Sequence, residues 1–158
     1  MKSKVKEVVV VLDNIRSREN VGSIFRTADG AGVGKIYLCG ITPRPPHSKI
    51  SKTALGTEGW VSWEYHKDTW RLLKKLKIQG LRPIALEQTK DSKSIFSLKP
   101  NDLKSKILAL IVGNEVRGIS PKILKYCDKV VYIPMHGQKE SLNVSVAAGI
   151  ALYKLKSG

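Results

Sequence analysis

Ile107-Leu108-Ala109-Leu110-Ile111-Val112-Gly113-Asn114-Glu115-Val116-Arg117-Gly118 decides how this chain folds. Its first six residues are apolar without a break. That pattern fits a strand buried on both faces, as in a parallel sheet covered by helices. Two glycines and a carboxylate follow at the strand's carboxyl end. Open α/β sheets bind ligands just beyond that end of their strands. On pattern alone the segment is equally a connecting loop with exposed charges.

Outward from this stretch, short apolar runs alternate with helical periodicities. Val8–Leu12 reads as a first strand, again apolar on both faces. Lys35–Cys39, Trp60–Glu64, Arg82–Leu86 and Val130–Ile133 read as further strands. Asn20–Gly32 reads as a helix, with Val21, Ile24, Phe25 and Ala28 on its buried face and Gly30, Gly32 and Gly34 marking its end. Thr42–His47 holds three prolines and reads as an extended loop. Ser51–Leu55 reads as a short helix. Asp68 is expected to cap a helix over Thr69–Ile78, and Ser120-Pro121 to start a short helix ending near Lys125. Leu142–Leu155 reads as the last helix. Between Val144 and Leu152 it is apolar or small nearly all round apart from Ser145, which predicts burial in a core and at a dimer interface as well. The alternation predicts an α/β fold, a mostly parallel sheet flanked by helices, in a single domain over residues 1–158.

Charge narrows the function classes. Lys and Arg number 28 against 13 Asp and Glu, a formal +15. A folded domain this basic attracts polyanions by releasing their counterions, so nucleic acid is the expected partner, with solubility as the bland alternative. Cys39 and Cys127 sit beside apolar runs and read as buried free thiols, which fits a reducing cytoplasm. No Cys-x-x-Cys pair or His/Cys cluster occurs, so no metal site is expected. No run is long enough to span a membrane.

Three segments could carry chemistry. Asn20-Val21-Gly22-Ser23-Ile24-Phe25-Arg26 places Arg26 off the apolar helix face, with Gly22 one turn earlier on the same side. Another backbone or a ligand could approach closely at that glycine. An Asn N-cap and a solvated Arg would also explain this segment, though not its glycine. Gly113–Gly118 is the strand-end loop quoted above. Ile133-Pro134-Met135-His136-Gly137-Gln138-Lys139-Glu140-Ser141-Leu142-Asn143-Val144 is another strand end that passes through a glycine loop into a helix. Ser141 or Asn143 would cap that helix. Backbone polar groups beside apolar side chains suit an adenine-bearing cofactor. His136 reads as a surface or supporting histidine rather than a general base. No Gly-rich dinucleotide or P-loop fingerprint is present, which weakens the alternative of a nucleotide-dependent enzyme on an ordinary Rossmann-like fold.

Together the three segments, in order and spacing, resemble the motifs of the SpoU (TrmH) family of RNA 2′-O-ribose methyltransferases in the SPOUT superfamily. Asn20–Arg26 with Thr27-Ala28 resembles the first motif. Ile111–Gly118 resembles the second. Ile133-Pro134-Met135, Gly137 and Ser141–Ala147 resemble the third. Thr53-Ala54-Leu55-Gly56 resembles the segment between the first two. The resemblance implies a deep C-terminal trefoil knot whose loops hold S-adenosyl-L-methionine, and a homodimer with its active site at the subunit interface. It implies Arg26, Asn20, Glu115, Ser141 and Asn143 as the catalytic set. Cofactor contacts fall to Ile111, Val112, Gly113, Asn114, Ile133, Pro134, Met135, Gly137, Ser141 and Leu142.

Many members of the family carry a further RNA-binding domain or terminal helices. Here none is expected, so the catalytic domain itself would grip RNA through Arg16, Arg18, Arg44, Lys49, Lys52, Arg71, Lys74, Lys75 and Arg117. A guanidinium is a poor general base, with a pKa of roughly 12 or above. The expected role of Arg26 is therefore to bind a phosphate and position the hydroxyl, accepting the proton only if the site makes it acidic enough. The expected substrate is tRNA, at a D-loop guanosine or the wobble nucleotide, with rRNA as the alternative. A non-catalytic basic RNA-binding module is the competing reading.

Overall fold

The structure, a computed structural model, describes residues 7–103 and 107–157. Val8–Leu12 lies next to its central strand, Ile107–Val112. In β1 (Glu7–Asp13), Val8, Val10 and Leu12 point into one hydrophobic core while Val9 and Val11 point into a second. A strand can bury both faces only when layers cover it on both sides. On the first side lie α1 (Arg18–Ala31), α2 (Ser48–Ala54) and α5 (Val144–Ser157), which contribute Ile24 and Phe25, Ile50, and Leu152 and Leu155. On the second lie α3 (Thr69–Ile78) and the short α4 (Pro121–Leu124), through Leu72, Leu73, Leu76 and Ile123.

The remaining strands are β2 (Ile36–Cys39), β3 (Trp63–His66), β4 (Arg82–Leu86), β5 (Lys93–Ser94), β6 (Ile107–Val112) and β7 (Lys129–Tyr132). They form one seven-stranded sheet in the order β3-β2-β1-β6-β4-β7-β5. Every pairing is parallel, with Val10 opposite Leu110 and Ile84 also opposite Leu110 on the two sides of β6. All carboxyl ends therefore emerge on one edge. The expected α/β architecture is observed.

Several boundaries differ from expectation for local reasons. The first helix begins at Arg18, because Ser17 rather than Asn20 is the N-cap and accepts the Asn20 N–H at 3.1 Å. α2 starts at Ser48 instead of Ser51, since the His47 Nδ1 accepts the Lys49 N–H at 3.1 Å. The expected strand Trp60–Glu64 shifts to Trp63–His66, because Trp60 closes a one-turn 3-10 helix and its indole donates to Asp29. Asp68 occupies the α3 cap position but makes no side-chain cap bond; it pairs instead with Arg71. α5 starts at Val144, two residues after the expected Leu142. Ser120 and Pro121 open α4 as expected. Cys39 is buried, Cys127 only half so; burial first of all pushes both thiols up to about 12. No helix among the described residues is long and apolar enough to cross a membrane.

Gly22 explains the contact between α1 and α2. A Cβ there would lie 2.1 Å from Thr53 Oγ1 and 2.2 Å from the Ile50 carbonyl oxygen. Of the two readings left open by the sequence, the close approach is thus by backbone. The Thr53 hydroxyl in turn donates to the Glu19 carbonyl at 2.8 Å. Gly22→Ala is expected to destabilise the protein by about 2–3 kcal/mol, an overpacking cost, because a carbonyl cannot move aside as a flexible side chain would. Urea unfolding checks this, and a loss below about 0.5 kcal/mol would show that the helices separate freely.

Candidate active site

Four strand ends build the site: those of β1, β4, β6 and β7. Beyond β6 the chain must turn at once, and Gly113 permits it. A Cβ at Gly113 would come within 2.6 Å of Ile119 Cγ1 and 2.8 Å of the Gly118 carbonyl carbon. Asn114 shapes the loop from inside. Its Oδ1 accepts the Val116 and Arg117 N–H groups at 2.9 Å each, and its Nδ2 donates to the Asn14 carbonyl beyond β1 at 2.8 Å. The loop closes at Gly118, whose φ of 67° is costly for a residue with a Cβ.

Glu115 joins this loop to the first helix. Its Oε1 accepts the Arg16 N–H at 2.8 Å. Its Oε2 accepts the Ser17 N–H at 2.9 Å and the Asn20 Nδ2 at 3.1 Å. Burial pushes the Glu115 carboxyl up, but the N–H donors of Arg16 and Ser17, with help from Asn20, outweigh it and hold the pKa below the ordinary glutamate range. Asn20 passes the connection on, its Oδ1 accepting the Asn143 Nδ2 at 3.2 Å. Asn143, not Ser141, caps α5, accepting the Ser145 N–H at 2.9 Å. One chain of hydrogen bonds therefore ties together all three segments singled out in the sequence.

Against this network lies a cavity of about 470 Å³, within the size range of small-molecule sites. Of the expected cofactor residues, Val112, Gly113, Asn114, Ile133, Met135, Ser141 and Leu142 line it, and Glu115 and Asn143 of the catalytic set do too. Ile111, Pro134 and Gly137 do not line it; Ile111 is buried in the α3-side core. Asn20 reaches the wall through its bonds to Glu115 and Asn143. Arg26 stands apart. It is exposed on α1 and does not line the cavity. It lies six residues beyond Asn20, about 9 Å further along the helix and about 120° away around it. His136 is exposed and also off the wall, as a surface histidine would be. Leu86, Glu87, Gln88 and Tyr132, none of them an expected site residue, line the wall as well, with Val116, Gly118, Glu140, Val144 and Ala147 from the second and third segments. The strand-end rule, applied to Arg82–Leu86 as it was to Ile107–Val112, would have found Glu87.

The basic residues fall into two groups. Arg16, Arg18, Lys49, Lys52 and Arg117 are exposed on the first turn of α1, on α2 and on the site loops. Arg44 is exposed too, with its guanidinium 4.1 Å from the centre of the Tyr65 ring. Arg71, Lys74 and Lys75 lie on α3, on the other side of the sheet, where Arg71 and Lys75 border a shallow cleft with His66.

Residues 7–153 match the SpoU rRNA Methylase family. The chain is 34% identical to the tRNA (guanosine(18)-2'-O)-methyltransferase of Aquifex aeolicus, over 98% of this chain and 71% of that protein. It is 30% identical to the enzyme of the same name from Thermus thermophilus, over 100% of this chain and 81% of that one. Among solved structures it superimposes on the AdoMet-bound rRNA methyltransferase from Sinorhizobium meliloti with a TM-score of 0.86 and 26% identity, covering 98% of this chain and 57% of that one.

The Glu115 latch has a pH signature. Because its carboxylate is exposed and screened, Glu115→Ala is expected to lower stability at pH 7 by only about 1 kcal/mol. A depressed folded-state pKa stabilises the fold above the unfolded value, about 4.3, and that contribution disappears as pH falls through the folded-state value. Urea midpoints of wild type and variant should therefore converge in acid. A gap that widens in acid would show that the latch is not ionic.

Proposed function

The chain belongs to the SpoU rRNA methylase family, and we propose that it transfers a methyl group from S-adenosyl-L-methionine to a ribose 2′-hydroxyl of RNA. The observation that carries this reading is the cavity walled by the Gly113–Gly118 loop and the Ile133–Asn143 loop, with Asn20 bonded to both. Its wall fits the cofactor. Leu86, Val112, Ile133 and Leu142 offer apolar surface for an adenine ring, and the polar groups of Asn114, Ser141 and the adjoining backbone lie beside them. Backbone near Gly113, Ile133, Met135 and Leu142 would hold the cofactor. When bound, it supplies an electrophilic methyl on a sulfonium that departs as a neutral thioether.

What remains for the protein is to aim the hydroxyl and manage its proton. Arg26 binds the phosphate beside the target ribose and positions the hydroxyl. Glu115 and Asn20 fix the wall against which the ribose is held, and Ser141 and Asn143 shape the pocket mouth. Since Arg26 lies off its own chain's cavity, the site is completed across a homodimer interface, with Arg26 of one protomer serving the cavity of its partner. Exposed Val146 and Tyr153 on α5 give that interface apolar surface. The family's deep trefoil knot, placed in the part of the chain from β6 through α5, belongs to the same reading. So do a single catalytic domain that grips RNA through its own basic residues and a cytoplasmic location, which two free thiols favour.

The favoured substrate is tRNA, at a guanosine, because relatives matched over most of their length carry that activity in their names. The likeness to the Sinorhizobium meliloti enzyme keeps rRNA as the second reading. Purified protein given labelled S-adenosylmethionine and bulk tRNA or rRNA is expected to label ribose in the tRNA. Arg26→Ala should lose at least about 100-fold in transfer, the scale of a lost positioning group, while binding the cofactor as wild type does. Label in rRNA alone would select the second reading. Unchanged transfer by Arg26→Ala would remove its assigned role, and no cofactor binding at all would favour a non-catalytic RNA-binding module.

A further inference from the structure

Glu87, the first residue after β4, is half-buried in the cavity wall. Its Oε2 accepts the Ile119 N–H at 2.8 Å, which pins the far end of the Gly113–Gly118 loop, and its Oε1 accepts the Gln88 N–H at 3.1 Å. The carboxylate reaches the loop only because residue 118 is glycine: a Cβ there would lie 2.2 Å from Oε2. Two fixed backbone donors set the direction of the carboxylate, and it has acceptor capacity left.

The charge pattern gives this carboxylate a purpose. The chain carries a formal +15, yet among the described residues no Lys, Arg or His lines the cavity. The charged side chains on its wall are Glu87, Glu115 and Glu140. Glu115 spends its oxygens on three donors of the first-helix latch, and Glu140 is solvent-exposed. Glu87 is the half-buried carboxylate whose field reaches a ligand with the least screening.

We propose that Glu87 is a specificity-determining residue that makes the cavity favour the sulfonium methyl donor over its neutral thioether product. Donor and product differ by one methyl group and one positive charge. An oriented, half-buried carboxylate attracts that charge and loses the attraction once the methyl has moved. The same group therefore helps load the donor and release the product. This inference rests on the cofactor reading above.

Calorimetric titration of the full chain with three ligands tests it: S-adenosylmethionine, S-adenosylhomocysteine, and sinefungin, which carries an amine in place of the sulfonium. Glu87→Gln keeps a carbonyl acceptor for Ile119 and removes the charge. It is expected to weaken the donor and sinefungin on the order of tenfold and to change the product less than about twofold. An equal loss for all three ligands would mean that Glu87 merely braces the loop, and an unchanged donor-to-product ratio would equally overturn the proposal. If the variant does not fold, the wild type decides. Its donor-to-product affinity ratio must exceed one and fall with added salt; a ratio near one, or one insensitive to salt, overturns the proposal. Wild type that binds none of the three overturns the cofactor reading itself, whereas wild-type binding with an unaltered ratio in Glu87→Gln overturns this inference alone.

Discussion

The Glu115 carboxylate and its three donors hold the site together. An all-parallel sheet delivers every strand end to one edge, but delivery alone leaves separate loops. Glu115 accepts from Arg16, Ser17 and Asn20, and Asn20 accepts from Asn143. Segments about a hundred residues apart in sequence thereby become one wall. Backbone donors near a helix start are unsatisfied within the helix, so a carboxylate reaching in from the loop after β6 meets a need that α1 already has. The negative charge also sits favourably at the positive end of the α1 dipole. Local capping and long-range assembly are served by the same bonds.

The molecule separates its charges by surface. Outside, Lys and Arg spread over α2, α3 and the site loops, a distribution suited to a phosphate backbone. Inside the cavity the wall mixes apolar side chains with neutral polar groups and carboxylates, and no cation among the described residues lines it. A polyanion and a small cationic donor can therefore approach the same edge without competing for the same groups. Arg26 belongs to neither group: it is exposed on α1 and does not line its own chain's cavity.

How much of this was legible depended on what each residue had to satisfy. Val8–Leu12 and Ile107–Val112 could be read directly, because burial on two faces leaves no room for a polar residue. Gly113 and Gly22 were visible as glycines, but only packing showed that one meets Ile119 and the other the α2 backbone. Asn20 looked like a cap, since Asn at a helix start usually is. Ser17 took that role and freed the Asn20 amide for Glu115 and Asn143. Asp68 makes no cap bond and pairs with Arg71, while the next residue, Thr69, donates its hydroxyl to buried Asp13 at the end of β1, a partner no local pattern announces. β5, two residues long, offers no periodicity to detect. Glu87 was passed over because its strand, Arg82–Leu86, leads into no glycine loop, and its partner Ile119 is 32 residues away.

Under the proposed function, one chain's cavity works with another chain's Arg26. Co-expressing Arg26→Ala with a cavity-filling Leu142→Trp, under two different tags, allows purification of mixed dimers alone. Each variant is inactive by itself on this account. In a mixed dimer, one site pairs an open cavity with an intact Arg26, so methyl transfer to RNA should return to about half the wild-type rate per dimer, as two-fold symmetry requires. Mixed dimers with no activity would mean that Arg26 and the cavity act within one chain, and would rule out a site shared between protomers.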